Sequence, residues 1–148
     1  MNPPLRSSDD RESLQKALAE GKIDFVATDH APHELAVKGK NFDEAAFGTI
    51  GLETSLRVLV DMWKKDKITS ERLVDVFSTA PAKFLNIEDR FGHLEAGRPF
   101  KAVLIKASAA NSQVTAHFKS LSQNSCFIGS QLPDCLCATF LGNALYEF

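Results

Sequence analysis

The chain has 148 residues, of which 44% are hydrophobic and 24% charged, a composition typical of a globular protein with a sizeable core. Its formal net charge of -2 excludes the basic surface of a generic nucleic-acid binder and charge-driven binding to an anionic membrane. No apolar run approaches the ~20 residues of a transmembrane helix, and the amino terminus lacks the apolar centre of a signal peptide, so we expect a cytoplasmic protein.

The amino-terminal part of the chain predicts a loop, a helix, a strand and a second, long loop. Residues 2–4 contain two prolines and cannot lie inside a helix, whereas Ser7 with Asp10 three positions later predicts a helix N-cap. Gly21 is expected to end that helix, and the β-branched and aromatic residues within 23–28 predict a mostly buried strand. Residues 30–50 show no sustained period and predict a long loop, a class of segment that often carries function.

The rest of the chain predicts helices and then strands. Apolar residues after Gly51 recur at helical spacing and predict one amphipathic helix, with a stripe formed by Leu52, Leu56, Leu59, Val60 and Trp63. Thr69 or Ser70 is expected to cap a short helix that reaches residue 77, and Pro81 to begin a further turn. Beyond residue 90, glycines and β-type composition predict strands at 100–106, 113–119, 126–128 and 135–146.

This order of elements indicates part of a larger α/β architecture. A single buried strand flanked by helices needs neighbouring strands to form a parallel sheet. The order helix, strand, loop and helix is that of one repeat of a (β/α)8 barrel.

Two groups of residues that often bind metals do not form a metal site in this pattern. The three cysteines are few, odd in number and late in the chain, so we expect reduced thiols. Cys135 and Cys137 form a C-x-C pair, but no second pair follows at zinc-finger spacing, which favours partly buried small residues over metal ligands. His93 and His117 have no acidic or thiol partner at ligand spacing, which disfavours a role as metal ligands.

The densest polar cluster is the sequence TDHAPHE at residues 28–34, where the predicted strand gives way to the long loop. At the carboxyl end of a barrel strand, Asp29 could ligate a metal or relay a proton, and His33 could bind an anion in the same cavity. Alternatively, Asp29 bonds the backbone amides of its own loop and His33 is exposed. His30 alternates with Asp29 and is therefore predicted to be structural.

Two further loops are candidates for ligand binding. Residues 2–6, NPPLR, would form a stiff loop from which the amide of Asn2 and the guanidinium of Arg6 could recognise a small polar anion. An ordinary lead-in to the first helix is the alternative. Gly48 and Gly51 precede a predicted helix and could leave backbone N–H groups exposed to a ligand, or could serve chain conformation alone.

Taken in order, these stretches resemble the dihydroorotases of the amidohydrolase superfamily. The resemblance is carried by MNPPLRS at 1–7, ATDHAPH at 27–33 and the segment 42–54, and it weakens after residue 107. The TDHAPH type of segment is also similar to allantoinases and hydantoinases, whereas the NPPLR loop looks particular to dihydroorotases.

The resemblance implies a fold and a division of the chain. The fold class is α/β, the terminal part of a (β/α)8 TIM-barrel metal-dependent hydrolase followed by strands of a small β-sandwich domain. Residues 1–90 would be the last βα units of the barrel, and residues 91–148 the β-rich carboxyl-terminal part of the small domain.

The resemblance also implies a zinc-dependent enzyme, with one or two zinc ions, that reversibly cyclises N-carbamoyl-L-aspartate to L-dihydroorotate in pyrimidine synthesis. In that family zinc activates water against the ring amide carbonyl. Asp29 matches an aspartate that binds the metal and transfers the proton, Asn2 a residue that contacts substrate, and His33 one that holds the substrate carboxylate. The residues that match a loop whose backbone contacts the ring are Ala46, Phe47 and Gly48.

The chain departs from this family in its metal ligands. The family's His-x-His pair, bridging carboxylate and two later histidines have no counterpart here, so we expect a carboxyl-terminal portion of a dihydroorotase that is inactive alone. Two alternatives remain, another cyclic amidohydrolase and a non-catalytic module that associates with an aspartate carbamoyltransferase. We expect a small-molecule substrate, a homo-oligomer, and neither nucleic acid nor membrane as partner.

Overall fold

The computed structural model describes residues 1–147. Its helices are α1 (Ser8–Ala19), α2 (Leu35–Lys38), α3 (Leu52–Lys64), α4 (Ser70–Val74) and α5 (Ala80–Phe84). Its strands are β1 (Lys101–Ile105), β2 (Asn111–Gln113), β3 (Gln131–Pro133), β4 (Leu136–Leu141) and β5 (Ala144–Glu147). Within these residues no helix combines the length and the apolar character needed to cross a membrane.

Helix α1 begins where the sequence predicts it. The Ser7 hydroxyl accepts a hydrogen bond from the Asp10 backbone N–H at 3.2 Å, and the Asp10 carboxylate accepts one from the Ser7 N–H at 3.1 Å. This reciprocal capping satisfies two backbone donors at the helix start. Gly21, with a positive φ of 77°, follows the end of the helix.

The strand predicted over residues 23–28 is wrong as a regular element. The segment is extended but joins no ladder, and the Val26 N–H donates instead to the Val76 carbonyl at 3.1 Å. One isolated parallel bridge follows it, between His30 and Thr49. A strand requires neighbours on its edges, and residues 1–147 place no other strand beside this segment.

The helix predicted after Thr69 and the turn predicted at Pro81 form one continuous helical segment. Between α4 and α5 lies a π-helical turn (Asp75–Thr79), in which the Ala80 N–H donates to the Asp75 carbonyl five residues back. The next donor in that pattern would be Pro81, which has no N–H. The Val76 carbonyl is therefore left for Val26, and this bond anchors the extended segment that leads towards Asp29.

Helix α3 is amphipathic as predicted and supplies much of the core. Leu59 and Val60 are fully buried, whereas Leu52 in the first turn is 61% exposed. The core cluster joins the helices to two residues of the β-rich part of the chain. Its buried members are Leu18, Leu59, Val60, Met62, Ile68, Leu73, Val76, Ala109 and Cys135.

The strands form two antiparallel sheets, one in the order β1-β4-β5 and one of β2 with β3. The strands predicted at 100–106 and 135–146 are confirmed, with Gly142 at a positive φ of 62° between β4 and β5. The strand predicted at 113–119 is wrong beyond Gln113, and residues 126–128 form a turn that ends at Gly129. Much of the segment 118–126 does not pair with a strand. Its hydrogen bonds join it to the Glu53 side chain of α3 and to the loops before that helix.

Candidate functional site

Asp29 lies at the end of the extended segment, with an exposed side chain. Its φ of 42° is in the left-handed region, which short polar residues tolerate better than most others. The carboxylate is accordingly accessible to a substrate or a metal ion.

His30 faces the start of α3, as its predicted structural role requires. Its Nδ1 accepts hydrogen bonds from the backbone N–H groups of Gly51 at 3.1 Å and Leu52 at 3.4 Å. An accepting Nδ1 places the imidazole proton on Nε2. The prediction that the residues before α3 leave free N–H groups for a ligand is therefore wrong at these two positions, because His30 occupies both donors.

His33 is half-buried, so the alternative in which it is an exposed loop residue is wrong. It lies beside Gly48, where an added Cβ would come 2.5 Å from the Cβ of Ala31 and 3.8 Å from the Nε2 of His33. Gly48 also has a positive φ of 103°. The predicted histidine and the predicted backbone loop are thus brought together, and only glycine permits that approach.

Lys38 fixes the loop of residues 46–48, a role that the sequence pattern did not indicate. Its Nζ donates to the carbonyl oxygens of Ala46 at 2.8 Å and Gly48 at 2.9 Å. The Ala46 N–H donates in turn to the Val37 carbonyl at 3.1 Å, while the Phe47 side chain is 63% exposed. Helix α2 has four residues and is too short to show a hydrophobic period, so nothing in the sequence pointed to it.

A second group missed by the sequence pattern is the latch segment, residues 118–126. Backbone N–H groups of Lys119 and Ser120 donate to the Glu53 carboxylate at 2.9 and 3.0 Å, which fastens the segment to the first turn of α3. The side chains of Ser122 and Asn124 reach the loops that contain His33 and Gly48. These partners are more than 60 residues apart in sequence, so no spacing rule links them.

The loop of residues 1–7 is exposed, and its described hydrogen bonds belong to the α1 cap. Within residues 1–147 no hydrogen bond joins Asn2 to Asp29 or His33. The structure therefore assembles His33 with the 46–48 loop but does not link Asn2 to them.

The described residues do not complete a metal site. Among residues 1–147 no three His, Cys, Asp or Glu side chains lie close enough together to hold a metal ion. A catalytic zinc takes about three protein ligands, of which the Asp29 carboxylate could be one, so further ligands would be needed to complete the site. Cys135 is buried, which raises the pKa of its thiol, and Cys137 is half-buried, in line with their interpretation as packing residues.

An apolar cavity of about 780 Å³ lies away from these loops, between the helical segment 70–85 and the sheet of β1 and β4. Leu73, Phe77, Leu85, Val103 and Phe140 are among the side chains that line it. None of the candidate site residues does so.

Comparison with known proteins gives consistent results for sequence and fold. Residues 2–130 match the model of the amidohydrolase family. The chain is 40% identical over 146 residues to a dihydroorotase of Halalkalibacterium halodurans and 39% identical over 146 residues to one of Geobacillus thermodenitrificans, covering 98% of this chain in both cases. It spans only about a third of the length of these curated relatives, in each case 34%.

Solved structures with a similar fold include hydantoinases. L-hydantoinase (dihydropyrimidinase) from Arthrobacter aurescens matches with a TM-score of 0.90 and 29% identity over 98% of this chain and 33% of that one. D-hydantoinase (dihydropyrimidinase) from a Thermus species matches with a TM-score of 0.87 at 24% identity, over 98% and 32% of the two chains. The family model covers most of the chain and the solved structures share its fold. The chain therefore belongs to the amidohydrolase family.

Proposed function

We propose that the protein carrying this chain is a dihydroorotase, which reversibly cyclises N-carbamoyl-L-aspartate to L-dihydroorotate in pyrimidine biosynthesis. The observation that carries this proposal is the 40% identity to a dihydroorotase over 98% of the chain. The matched stretch is a carboxyl-terminal part of such relatives, and the activity would belong to the longer protein.

In this proposal the chain forms the last units of a (β/α)8 barrel and strands of a small β-sandwich domain. Residues 1–90 correspond to the barrel part and residues 91–148 to the small domain. The fold shared with L-hydantoinase, at a TM-score of 0.90 over a third of that chain, supports this arrangement. The extended segment 23–28 would then be a barrel strand whose neighbours lie outside residues 1–147.

Each candidate residue has a role in this proposal. The Asp29 carboxylate takes the proton of the water that attacks the ring amide carbonyl and gives it to the departing amide nitrogen, and ring closure reverses both transfers. His33 holds the substrate carboxylate, which suits a half-buried imidazole beside a glycine loop. Asn2 contacts the substrate as well. The backbone of the ring-contacting loop is that of Ala46, Phe47 and Gly48.

Zinc is the metal that we propose for the longer protein. Asp29 would be one ligand, and residues outside 1–147 would supply the others, since the described residues contain no cluster of three ligating side chains. Three free cysteines are consistent with a reducing, cytoplasmic location.

The role of Asp29 is tested in the full-length protein by Asp29→Asn, with Asp24→Asn as the matched control. Asp24 is an exposed aspartate on the same extended segment. Loss of a positioned acid–base group lowers turnover by roughly 10²–10⁴-fold. We expect that loss in dihydroorotate ring opening for Asp29→Asn and near-native turnover for Asp24→Asn. Full activity of Asp29→Asn would refute its assignment.

A second candidate function is that of another cyclic amidohydrolase, because hydantoinases are among the matched structures. Dihydroorotate, hydantoin and allantoin offered to the same preparation separate the two. Turnover of hydantoin or allantoin without turnover of dihydroorotate would replace the first proposal.

We also propose that the chain associates with other chains, either copies of itself or an aspartate carbamoyltransferase. Large apolar side chains are fully or mostly exposed, among them Phe42 at 99% and Leu35 at 85%. Light scattering of the purified chain, alone and mixed with that enzyme, measures both kinds of association. A compact monomer in both samples would exclude the proposed assembly, including a non-catalytic binding role.

A further inference from the structure

The two loops that form the candidate site are tied together by side chains of the latch segment. We infer that Asn124 is a positioning residue that sets the loop of His33 against the segment 48–50, with Ser122 as its support. The functional meaning of this placement rests on the proposed role of His33 in binding the substrate carboxylate.

The side-chain amide of Asn124 bridges the two loops directly. Its Nδ2 donates to the carbonyl oxygens of Ala31 and Gly48, both at 3.3 Å. One carbonyl belongs to each of two segments that lie close together, since an added Cβ at Gly48 would come 2.5 Å from the Cβ of Ala31. One NH₂ group with two protons can satisfy both carbonyls, which no other uncharged side chain except glutamine could do.

Ser122 lies against the backbone of His33 and against the amide of Asn124. This serine is 7% exposed, and its hydroxyl lies 2.8 Å from the His33 carbonyl oxygen. The same hydroxyl contacts Oδ1 of Asn124. The hydroxyl has a single proton, which it can give either to the His33 carbonyl or to Oδ1, and in both cases Ser122 lies between the His33 backbone and the Asn124 amide.

Backbone contacts hold this part of the latch segment in place independently of the Asn124 side chain. The Asn124 carbonyl accepts from the Thr49 hydroxyl at 2.9 Å and the Ile50 N–H at 3.2 Å. The Cys126 N–H donates to the Thr49 hydroxyl at 2.8 Å. A change of the Asn124 side chain therefore leaves the segment attached to residues 49–50 and removes only the link to Ala31 and Gly48.

The test uses the full-length protein with Asn124→Asp, Ser122→Ala and the control Ser125→Ala. Asn124→Asp keeps the size of the side chain but has no N–H donor, so both bonds to the carbonyls are lost, and the Gly48 carbonyl keeps only its bond from Lys38. Within residues 1–147 the Ser125 hydroxyl forms a single hydrogen bond, from the nearby Phe127 N–H at 3.2 Å, so its loss leaves the loops untouched. Thermal unfolding of each variant verifies that it is folded.

Two readouts follow the loops and the chemistry separately. Hydrogen exchange measured by mass spectrometry on peptides covering 28–34 and 46–52 reports the loops without any substrate. We expect faster exchange in both peptides for Asn124→Asp and Ser122→Ala and native exchange for Ser125→Ala. With dihydroorotate, we expect KM to rise by roughly tenfold with a smaller change in kcat, because the displaced histidine binds the substrate rather than transfers its proton.

The outcomes separate this inference from the proposed function. Native exchange and native KM in folded Asn124→Asp would overturn the positioning role, as would equal effects of Ser125→Ala. If the loops loosen but the wild-type protein does not turn over dihydroorotate, the proposed function fails. The structural link between Asn124 and the loops would then stand without it.

Discussion

The approach of the two site loops depends on the absence of one side chain, at Gly48. Replacing Gly48 by alanine places a Cβ 2.5 Å from the Cβ of Ala31 and forces a positive φ on a residue with a side chain. Overpacking of this kind costs about 1–3 kcal/mol. We expect Gly48→Ala to lower the free energy of unfolding by that amount, measured by urea denaturation, and to weaken binding at His33.

Gly97→Ala is the matched control for this prediction. Gly97 has a φ of 89°, but a Cβ there meets nothing within 4 Å, so only the backbone strain is shared. If both variants lose the same stability, contact with Ala31 is not what makes glycine necessary at position 48.

Local chemistry allowed part of the site to be predicted at this scale. The sequence contains a short polar segment with Asp29 and His33 and a glycine-containing segment with Gly48. These residue types have few functional roles, so the sequence alone indicates them as candidates. The contributions of Lys38 and Asn124 come from side chains that bond to carbonyls distant in sequence. Any lysine or asparagine can form such bonds, so its identity carries no positional signal.

Between elements, the guanidinium of Arg57 joins α3 to the sheet of β2 and β3. Its Nε donates to the Pro133 carbonyl at 2.9 Å, and its Nη2 donates to the Leu132 carbonyl and to Ser112. Leaving such part-buried acceptors unpaired costs about 1–3 kcal/mol. We expect Arg57→Ala to lower the free energy of unfolding by that range, whereas Arg11→Ala on the exposed face of α1 changes it by less than about 0.5 kcal/mol.

Guanidinium denaturation of the two variants measures the difference. Equal midpoints would mean that water replaces the arginine without cost, and that α3 and the small sheet are held by apolar packing alone.

At the scale of elements, periodic segments could be predicted and segments that depend on distant partners could not. Helix α3 shows an apolar stripe, and the capping pair at Ser7 and Asp10 marks the start of α1. The residues at 23–28 have the composition of a buried strand, but a ladder needs neighbours that composition cannot supply. The chain after Gln113 likewise has strand-like composition, yet side-chain bonds to Glu53 and the site loops replace sheet pairing there.

The stability of the whole molecule depends on pH because the Cys135 thiol is buried in the core that the helices share with the β-rich part. Burial raises the pKa of this thiol above its ordinary value of 9.0. At a pH between the pKa of the thiol in the unfolded chain and its raised pKa in the folded chain, the unfolded chain has lost a proton that the folded chain keeps. The unfolded state therefore binds fewer protons in this pH range. This contribution to stability is complete below about pH 9 and declines as pH rises through the window above it.

Urea denaturation at several pH values from neutral to alkaline tests this prediction. The measured quantity is the difference between wild type and Cys135→Ala, which isolates the contribution of this thiol. We expect the wild type to lose stability more steeply above pH 9 than that variant, while Cys126→Ala, at an exposed thiol, follows the wild type. Identical slopes for wild type and Cys135→Ala would contradict it.

Pro81 has an effect that reaches beyond its own helix. Any other residue at this position would bring a backbone N–H that competes with Val26 for the Val76 carbonyl. Substitutions that favour a regular helix at 81 would therefore release the extended segment three residues before Asp29. The path of the chain towards the candidate site thus limits which residues are acceptable at position 81. A more regular helix there would disrupt that path.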